Sequence, residues 1–204
     1  MAYQKFNNGE SLNSIRTKIN NTLTDLDTGK FGVTRWRDFI VPENVMRVSA
    51  GLEPDKVTLI GTIQKYAFDG VNTTEEMQGS IEINHEYKEG SIIRPHVHWA
   101  PSDTNIGNIK WQMAYSIHRV GEAPDNEVII SGIGATDGLS KKHFITPIGD
   151  GIDGTSLQIG DYIHFRFFRI PTDNADTYAH DAFLLGIGVH YEVDSTGSLQ
   201  ETIK

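Results

Sequence analysis

His96 and His98 stand one residue apart in Ile92-Ile-Arg-Pro-His-Val-His-Trp, a stretch whose β-branched and aromatic residues read as a strand. Alternation along a strand puts both imidazoles on one face, about 6 to 7 Å apart, with Val97 and Trp99 on the other. Two imidazoles on one face can ligate one metal ion, and zinc or iron would want at least one or two further ligands. The candidates are His118, His164 and His190 on other expected strands, and His85 before the preceding turn. The chain has no cysteine, so any metal must be held by His, Asp or Glu. Without a metal, the same two rings are positions on an exposed or subunit-facing strand, hydrogen-bonding across the sheet. A third arrangement lies between these: near the three-fold axis of a trimer, His96 and His98 could each supply one ligand per subunit to a shared ion.

Other chemistry is sparse. No Gly-x-Ser-x-Gly elbow, phosphate-binding glycine loop or His-Glu-x-x-His is present. Gly149-Asp-Gly-Ile-Asp-Gly-Thr spaces carboxylates as a calcium ion could use them, but it lacks the Glu and the length of a twelve-residue loop. Solvated turn formation is the simpler reading of Asp150 and Asp153, as of Asp161, Asp173 and Asp176 in neighbouring loops. Arg166 and Arg169 sit among Phe165, Phe167 and Phe168, where a guanidinium could stack on a ring, pair with a carboxylate or simply be solvated.

The elements that must position these residues are mostly strands. Near the start, Leu12, Ile15, Ile19, Leu23 and Leu26 recur at three- and four-residue steps and line one face of a helix, with Asn8 or Ser11 to cap it and Gly29 to stop it. This predicts an arm over residues 1–30, its helix at about 8–28, followed by an extended linker over 31–56 and a polar tail over 194–204. From about Val45 onward the pattern changes to period two, and residues 57–193 are expected to form the β-sandwich domain. Val57 to Ile63, Gln78 to Ile83, Ile92 to Trp99, Ile109 to Val120, Glu127 to Ile133, Tyr162 to Ile170 and Phe183 to Val193 read as strands, separated by Gly, Asp, Asn and Pro clusters such as Phe68-Asp-Gly-Val-Asn. Strands without interleaved helices predict a mainly β fold, an antiparallel jelly-roll-like β-sandwich preceded by one amphipathic helix. Alternation assigns Ile109, Trp111, Met113, Tyr115 and Ile117 to the core, and likewise Phe183, Leu185, Ile187, Val189 and Tyr191. Gly186, Gly188 and His190 then share the opposite face, where missing side chains would let another backbone or subunit come close.

Composition sets the outer bounds. An apolar fraction of 38% over 204 residues can supply one substantial core. A formal charge of -9 speaks against a nucleic-acid partner, since that affinity comes mainly from Lys and Arg neutralising phosphates. There is no apolar run long enough for a membrane helix, and Met1 to Asn8 lacks the basic-then-apolar pattern of a secretory signal, so the expectation is a soluble chain not exported by that route.

Two resemblances add to this. Gly90, five residues, His96, one residue, His98 resembles the first motif of the cupin superfamily, jelly rolls that commonly hold a metal through this pair, a following Glu and a later His. The resemblance implies a dioxygenase, isomerase or sugar-binding function. The chain departs from it where the Glu is replaced at best by Asp103 and where Gly160-Asp-Tyr-Ile-His matches only the opening of the second motif. The other resemblance is to tailed-bacteriophage virion proteins. Gly9-Glu-Ser-Leu-Asn-Ser-Ile-Arg-Thr-Lys-Ile-Asn is similar to a Gly-x-Ser-x-x-x-x-Arg-x-Lys-Ile-Asn stretch that opens many tail-fibre and other virion proteins, in the part that anchors them to the particle. The block from Ile83 to Trp99, with Gly107-Asn-Ile-Lys-Trp-Gln-Met-Ala-Tyr after it, resembles uncharacterised phage structural proteins through His-x-Tyr-Lys-Glu-Gly and Pro-His-x-His-Trp. This resemblance implies a non-enzymatic virion component without a cofactor, located in the particle and, during assembly, in the host cytoplasm. Its partners would be other virion proteins and copies of itself in a symmetric oligomer, a trimer being favoured. Head decoration, head-to-tail connector and tail fibre all remain open. The alternatives are a cupin-like enzyme with a metal at His96 and His98, and a carbohydrate- or receptor-binding tail module.

Overall fold

The computed structural model describes residues 9–27, 30–71 and 74–201. Among the described residues one α-helix, α1 (Leu12–Asp27), precedes eleven strands: β1 (Lys30–Val41), β2 (Arg47–Val48), β3 (Asp55–Ile60), β4 (Ile63–Phe68), β5 (Glu75–Glu82), β6 (Arg94–Pro101), β7 (Asn108–His118), β8 (Val128–Ala135), β9 (Phe144–Pro147), β10 (Tyr162–Arg169) and β11 (Ala182–Ser195). They form two antiparallel sheets. The first runs β3-β4-β11-β6-β9, with β1 also paired to β11, and the second runs β2-β5-β10-β7-β8. The fold is therefore the expected mainly β, antiparallel sandwich with one N-terminal helix.

The core fills the space between the sheets. Val97 and Trp99 of β6 meet Trp111 and Met113 of β7 and Phe165 and Phe167 of β10, all buried. The aromatic rings interlock: Trp111 stacks on Phe167 at 5.1 Å, Phe68 meets Trp111 edge-on at 5.5 Å, and Trp99 stacks on Phe144 at 4.9 Å. Each such ring removes some 150 to 250 Å² from water, so these residues dominate the burial that holds the two layers together. The alternation expected for β7 holds from Ile109 through Ile117, with Lys110, Gln112, Ser116 and His118 on the other face.

Several expectations change. Residues 31–56 are not a linker: they carry β1, a 3-10 turn at Glu43–Val45 and β2, and β1 pairs along β11 from Lys30↔Ser195 to Val41↔Ile187. The run from Val57 to Ile63 is not one strand but the two sides of a β3–β4 hairpin turning at residues 61–62, because its apolar residues on either side of Gly61 face each other across a turn. β9 is a short edge strand that period two did not reveal. In β11 the register on β6 shifts between Leu184 and Gly186. A bulge reverses the facing of every residue on one side of it. Leu184 therefore joins Ile187, Val189 and Tyr191 in the main core, while Phe183, with Leu185 packed beside it, lies in a small second cluster with Ala67 and Ala100.

At the end of β10, Arg169 is wholly buried in a bidentate pair with Asp176, at 2.9 and 2.7 Å, and also donates to the carbonyls of His180, Phe68 and Tyr178. Five donors in a fixed fork can satisfy several acceptors at once, so one side chain fixes residues 170–181 over the end of the sandwich. Of the readings open for Arg169 the structure realises pairing with a carboxylate, and Asp176 is not the solvated turn residue the sequence suggested.

Candidate functional site

The outer face of the first sheet gathers four histidines and one aspartate. His96 and His98 come from β6, His190 from β11, Asp38 from β1 and His143 from the residue before β9. Register explains the meeting. His190 lies opposite Asp38 on one side and Arg94 on the other, while His96 lies opposite Gly188. His96 and His190 are therefore diagonal neighbours, close enough for two rings to touch, and they stack at 4.2 Å between centroids.

His96 is 3% exposed, unusual for a polar residue on an outer face. It is sunk because Gly188 offers no side chain: a Cβ there would stand 2.1 Å from His96 Nε2 and 2.5 Å from Cε1. Of the close approaches that the glycines of β11 predicted, the one at Gly188 is made by this chain's own imidazole, and the one at Gly186 by the Val41 carbonyl of β1. Lying across Gly188, His96 Nε2 comes within 4.0 Å of Asp38 Oδ1, and His190 Nε2 within 4.0 Å of Asp38 Oδ2.

The rings also form a chain of hydrogen bonds. His96 Nε2 is 3.1 Å from His98 Nε2, and His98 Nδ1 is 2.8 Å from His143 Nε2. A neutral imidazole has one donor and one acceptor, so the chain can run in either direction, and the direction decides where His96 keeps its proton. If the protons point from His96 towards His143, Nδ1 of His96 is a bare acceptor; if they point back, it is a donor. That Nδ1 is buried without a hydrogen bond of normal geometry, although the Arg94 backbone lies near the ring. Burial, with the neighbouring His190 and His98, holds His96 below the usual imidazole range against the attraction of Asp38. Burial and His143 do the same for His98. Both shifts favour the neutral ring, the form in which imidazole binds a metal ion or passes a proton.

The other predicted histidines lie elsewhere. His118 and His164 project from β7 and β10 of the second sheet, their rings 5.7 Å apart, so they cannot complete a site with His96 and His98. His164 lines a groove of about 750 Å³ with Arg166, Glu127, Arg47 and Gln78. There Arg166 is bonded to both Glu127 oxygens and to Glu76. His85 lies 2.5 Å from Ser198 Oγ. Asp103, the stand-in for the cupin glutamate, is taken up by His180 at 2.9 Å and by the Tyr178 hydroxyl. Asp153 accepts from Thr155 in its own turn, as a turn-forming residue does, but Asp161 is not solvated: it is buried and ties two segments together by accepting from the amides of Val120 and Gln158. The arm residues are found on α1, where Leu12, Ile19, Leu23 and Leu26 are exposed and Ile15 is half-buried. Ser11 caps this helix by accepting from Ser14 N–H; Asn8 and Gly29 lie outside the described residues.

Sequence reasoning missed Asp38 and His143. Asp38 was hidden by reading its segment as a linker, although Phe39-Ile-Val after it is a strand-like run. Nothing in the spacing around His143 signalled its place.

No family model matches the chain, and no curated protein matches it. Among solved structures, it is similar to dimeric latent PorU from Porphyromonas gingivalis, at 10% identity and a TM-score of 0.38. That match covers 82% of this chain and 14% of the other, so the chain spans a small part of PorU's length. It is also similar to accessory secretory protein 1,2 and 3 in Streptococcus pneumoniae, at 10% identity and a TM-score of 0.28, over 74% of this chain and 98% of the other. At these scores the likenesses carry nothing about what the chain does.

Proposed function

We propose that this chain is a non-enzymatic structural component of a tailed-bacteriophage particle, joined to a neighbouring particle protein through α1. The observation that carries the reading is the state of the helix: Leu12 is 84% exposed, and Ile19, Leu23 and Leu26 on the same stripe are also in water. A single short helix gains most of its stability by packing its apolar face. Here Ile15 is half-buried but the other four residues of that face are exposed, and the core of the sandwich contains none of them. The Gly9-to-Asn20 segment that resembles the anchoring part of virion proteins ends inside this helix, which ties the stripe to attachment.

In this reading the sandwich is the body and α1 is the tether. Burying each Leu or Ile of the stripe in a partner groove contributes about 1.5 to 3 kcal/mol before ordering costs, and repetition around a symmetric particle multiplies weak single contacts. The test is a phage whose copy of this gene lacks residues 9–27. Quantitative mass spectrometry of purified particles is expected to find the truncated protein absent, while the same truncation made in isolation melts as the full chain does. Truncated protein still present at full copy number in particles, or an unfolded truncated domain, overturns the proposal.

A further inference from the structure

The geometry points to a divalent transition-metal site on the outer face of the first sheet, built within one chain from Asp38, His96 and His190, with zinc or a neighbouring ion such as cobalt or nickel as ligand. Among the described residues this is the group of three whose ligand atoms all lie within 4.8 Å of one another. The inference does not depend on the assembly reading. It also replaces both arrangements that the sequence suggested, since it requires neither His98 as a principal ligand nor a second subunit.

Each of the three residues comes from a different strand, β6, β11 and β1, and the pairing registers place them together. Two imidazole nitrogens and a carboxylate oxygen suit zinc and its neighbours and suit calcium and magnesium poorly. Each imidazole Nε2 is 4.0 Å from an Asp38 oxygen and the three ligand atoms all lie within 4.8 Å of one another, so the imidazole-to-carboxylate separations are somewhat wider than the roughly 3 to 3.5 Å between neighbouring ligands on an ion with bonds of about 2.0 to 2.2 Å. Asp38 and His190 are exposed and can rotate inwards, whereas His96 is fixed over Gly188. The site therefore has one rigid ligand and two adjustable ones. Ligation through His96 Nε2 requires the proton of that ring to sit on Nδ1. The Arg94 backbone lies within reach of the His96 ring, and a carbonyl there can receive the proton as a second-shell partner commonly does. The hydrogen bond from His98 to His96 Nε2 would then be given up to the ion, and His98 would remain bonded to His143.

Such an ion would clasp β1, an edge strand, to β11 and β6, and so secure the strand that directly follows α1. The experiment uses the full chain stripped with EDTA and dialysed, titrated with zinc by calorimetry and with cobalt by visible absorption. Wild type is expected to take up one ion per chain, with a cobalt spectrum indicating nitrogen and oxygen ligands, and to melt at a higher temperature with zinc present. Asp38→Asn and His190→Ala change exposed residues, keep the fold by circular dichroism, and are expected each to weaken binding at least tenfold and abolish the rise in melting temperature. His118→Ala on the other sheet is expected to bind as wild type. Failure of wild type to bind one ion overturns the site. So does uptake that survives both variants, or uptake lost on His143→Ala but retained in Asp38→Asn, which would move the ion to the far end of the histidine chain.

Discussion

Two glycines of this molecule lie under an aromatic ring from the adjacent strand, one on each sheet. Gly188 of β11 faces His96 across the first sheet, and Gly79 of β5 faces Phe165 across the second. In both, a Cβ on the glycine would collide with the ring, at 2.1 Å from His96 Nε2 and 2.6 Å from Phe165 Cζ. The backbone solution is the same, but the chemistry is opposite. Phe165 lies on the inner face with Met77 and Ile81 and gains by leaving water. His96 lies on the outer face, equally sunk, and leaves water with a ring nitrogen lacking a good partner. A buried apolar ring explains itself as packing. A buried polar ring at an outer surface, stacked on a second imidazole and facing a carboxylate, is where packing stops being a sufficient account.

Replacing the two rings should separate them most. Phe165→Ala is expected to cost about 3 to 5 kcal/mol, the range for emptying a core aromatic, whereas metal-free His96→Ala is expected to cost less than about 2 kcal/mol because it also removes a desolvated, poorly satisfied nitrogen. Urea denaturation of both variants checks this, and equal losses would break the comparison. A buried acid on the second sheet sharpens it. Burial raises the Glu75 carboxyl to about 7, with the charges of Asp69, Asp55 and Asp181 adding to the rise and a hydrogen bond from Asp69 N–H opposing it. Between its ordinary value of 4.5 and 7 the unfolded chain has lost a proton that the folded chain retains, so wild-type stability falls as pH rises through that window. Glu75→Gln can still accept from Asp69 and is expected to remove this slope, becoming the more stable protein above pH 7 by on the order of 3 kcal/mol, read from melting curves at successive pH values.

Smaller effects follow. Gly188→Ala is expected to destabilise by about 1 to 3 kcal/mol through overpacking, and His96→Ala in the same chain should recover most of that loss. A double-mutant cycle measures the coupling; its absence would mean that the ring is not what the glycine accommodates. The smallest change in folding stability is expected on α1, where Ile19→Ser with Leu23→Ser should alter it by no more than about 0.5 kcal/mol. Chemical denaturation of the full chain checks that value, and a larger loss would show the stripe to be packed rather than free.

Much of the sandwich was legible because period two survives wherever one face of a strand is covered and the other wet, as in β7. It failed where that condition failed. β11 is covered on both faces over part of its length and contains a bulge, so a uniform alternation put Phe183 and Leu185 in the wrong cluster. β1 exposes Trp36, Phe39 and Ile40, and its mixture of charged and aromatic residues concealed a strand in an expected linker. The site divided in the same way. His96 and His98 were legible through their spacing on one strand, but their grouping with Asp38, His143 and His190 depends on which strands are neighbours. Strand order is set by the whole topology rather than by any local pattern, which is why His118 and His164 were equally plausible partners in the sequence and lie on the other layer in the structure.

The pairing of β1 with β11 has a mechanical consequence. The chain leaves α1 and enters the sandwich at β1, so a pull on the helix reaches the body through that one strand. The β1–β11 ladder runs from Lys30↔Ser195 to Val41↔Ile187, with a register shift between Lys30 and Arg35, and β11 is in turn laced to β6 over the Ile187–His190 end of it. Tension directed along β1 loads those hydrogen bonds in shear, so that they share the force and must fail together. Tension directed across the strand would open them singly from the Lys30 end. The same fold is therefore a strong tether in one direction and a weak one in the other.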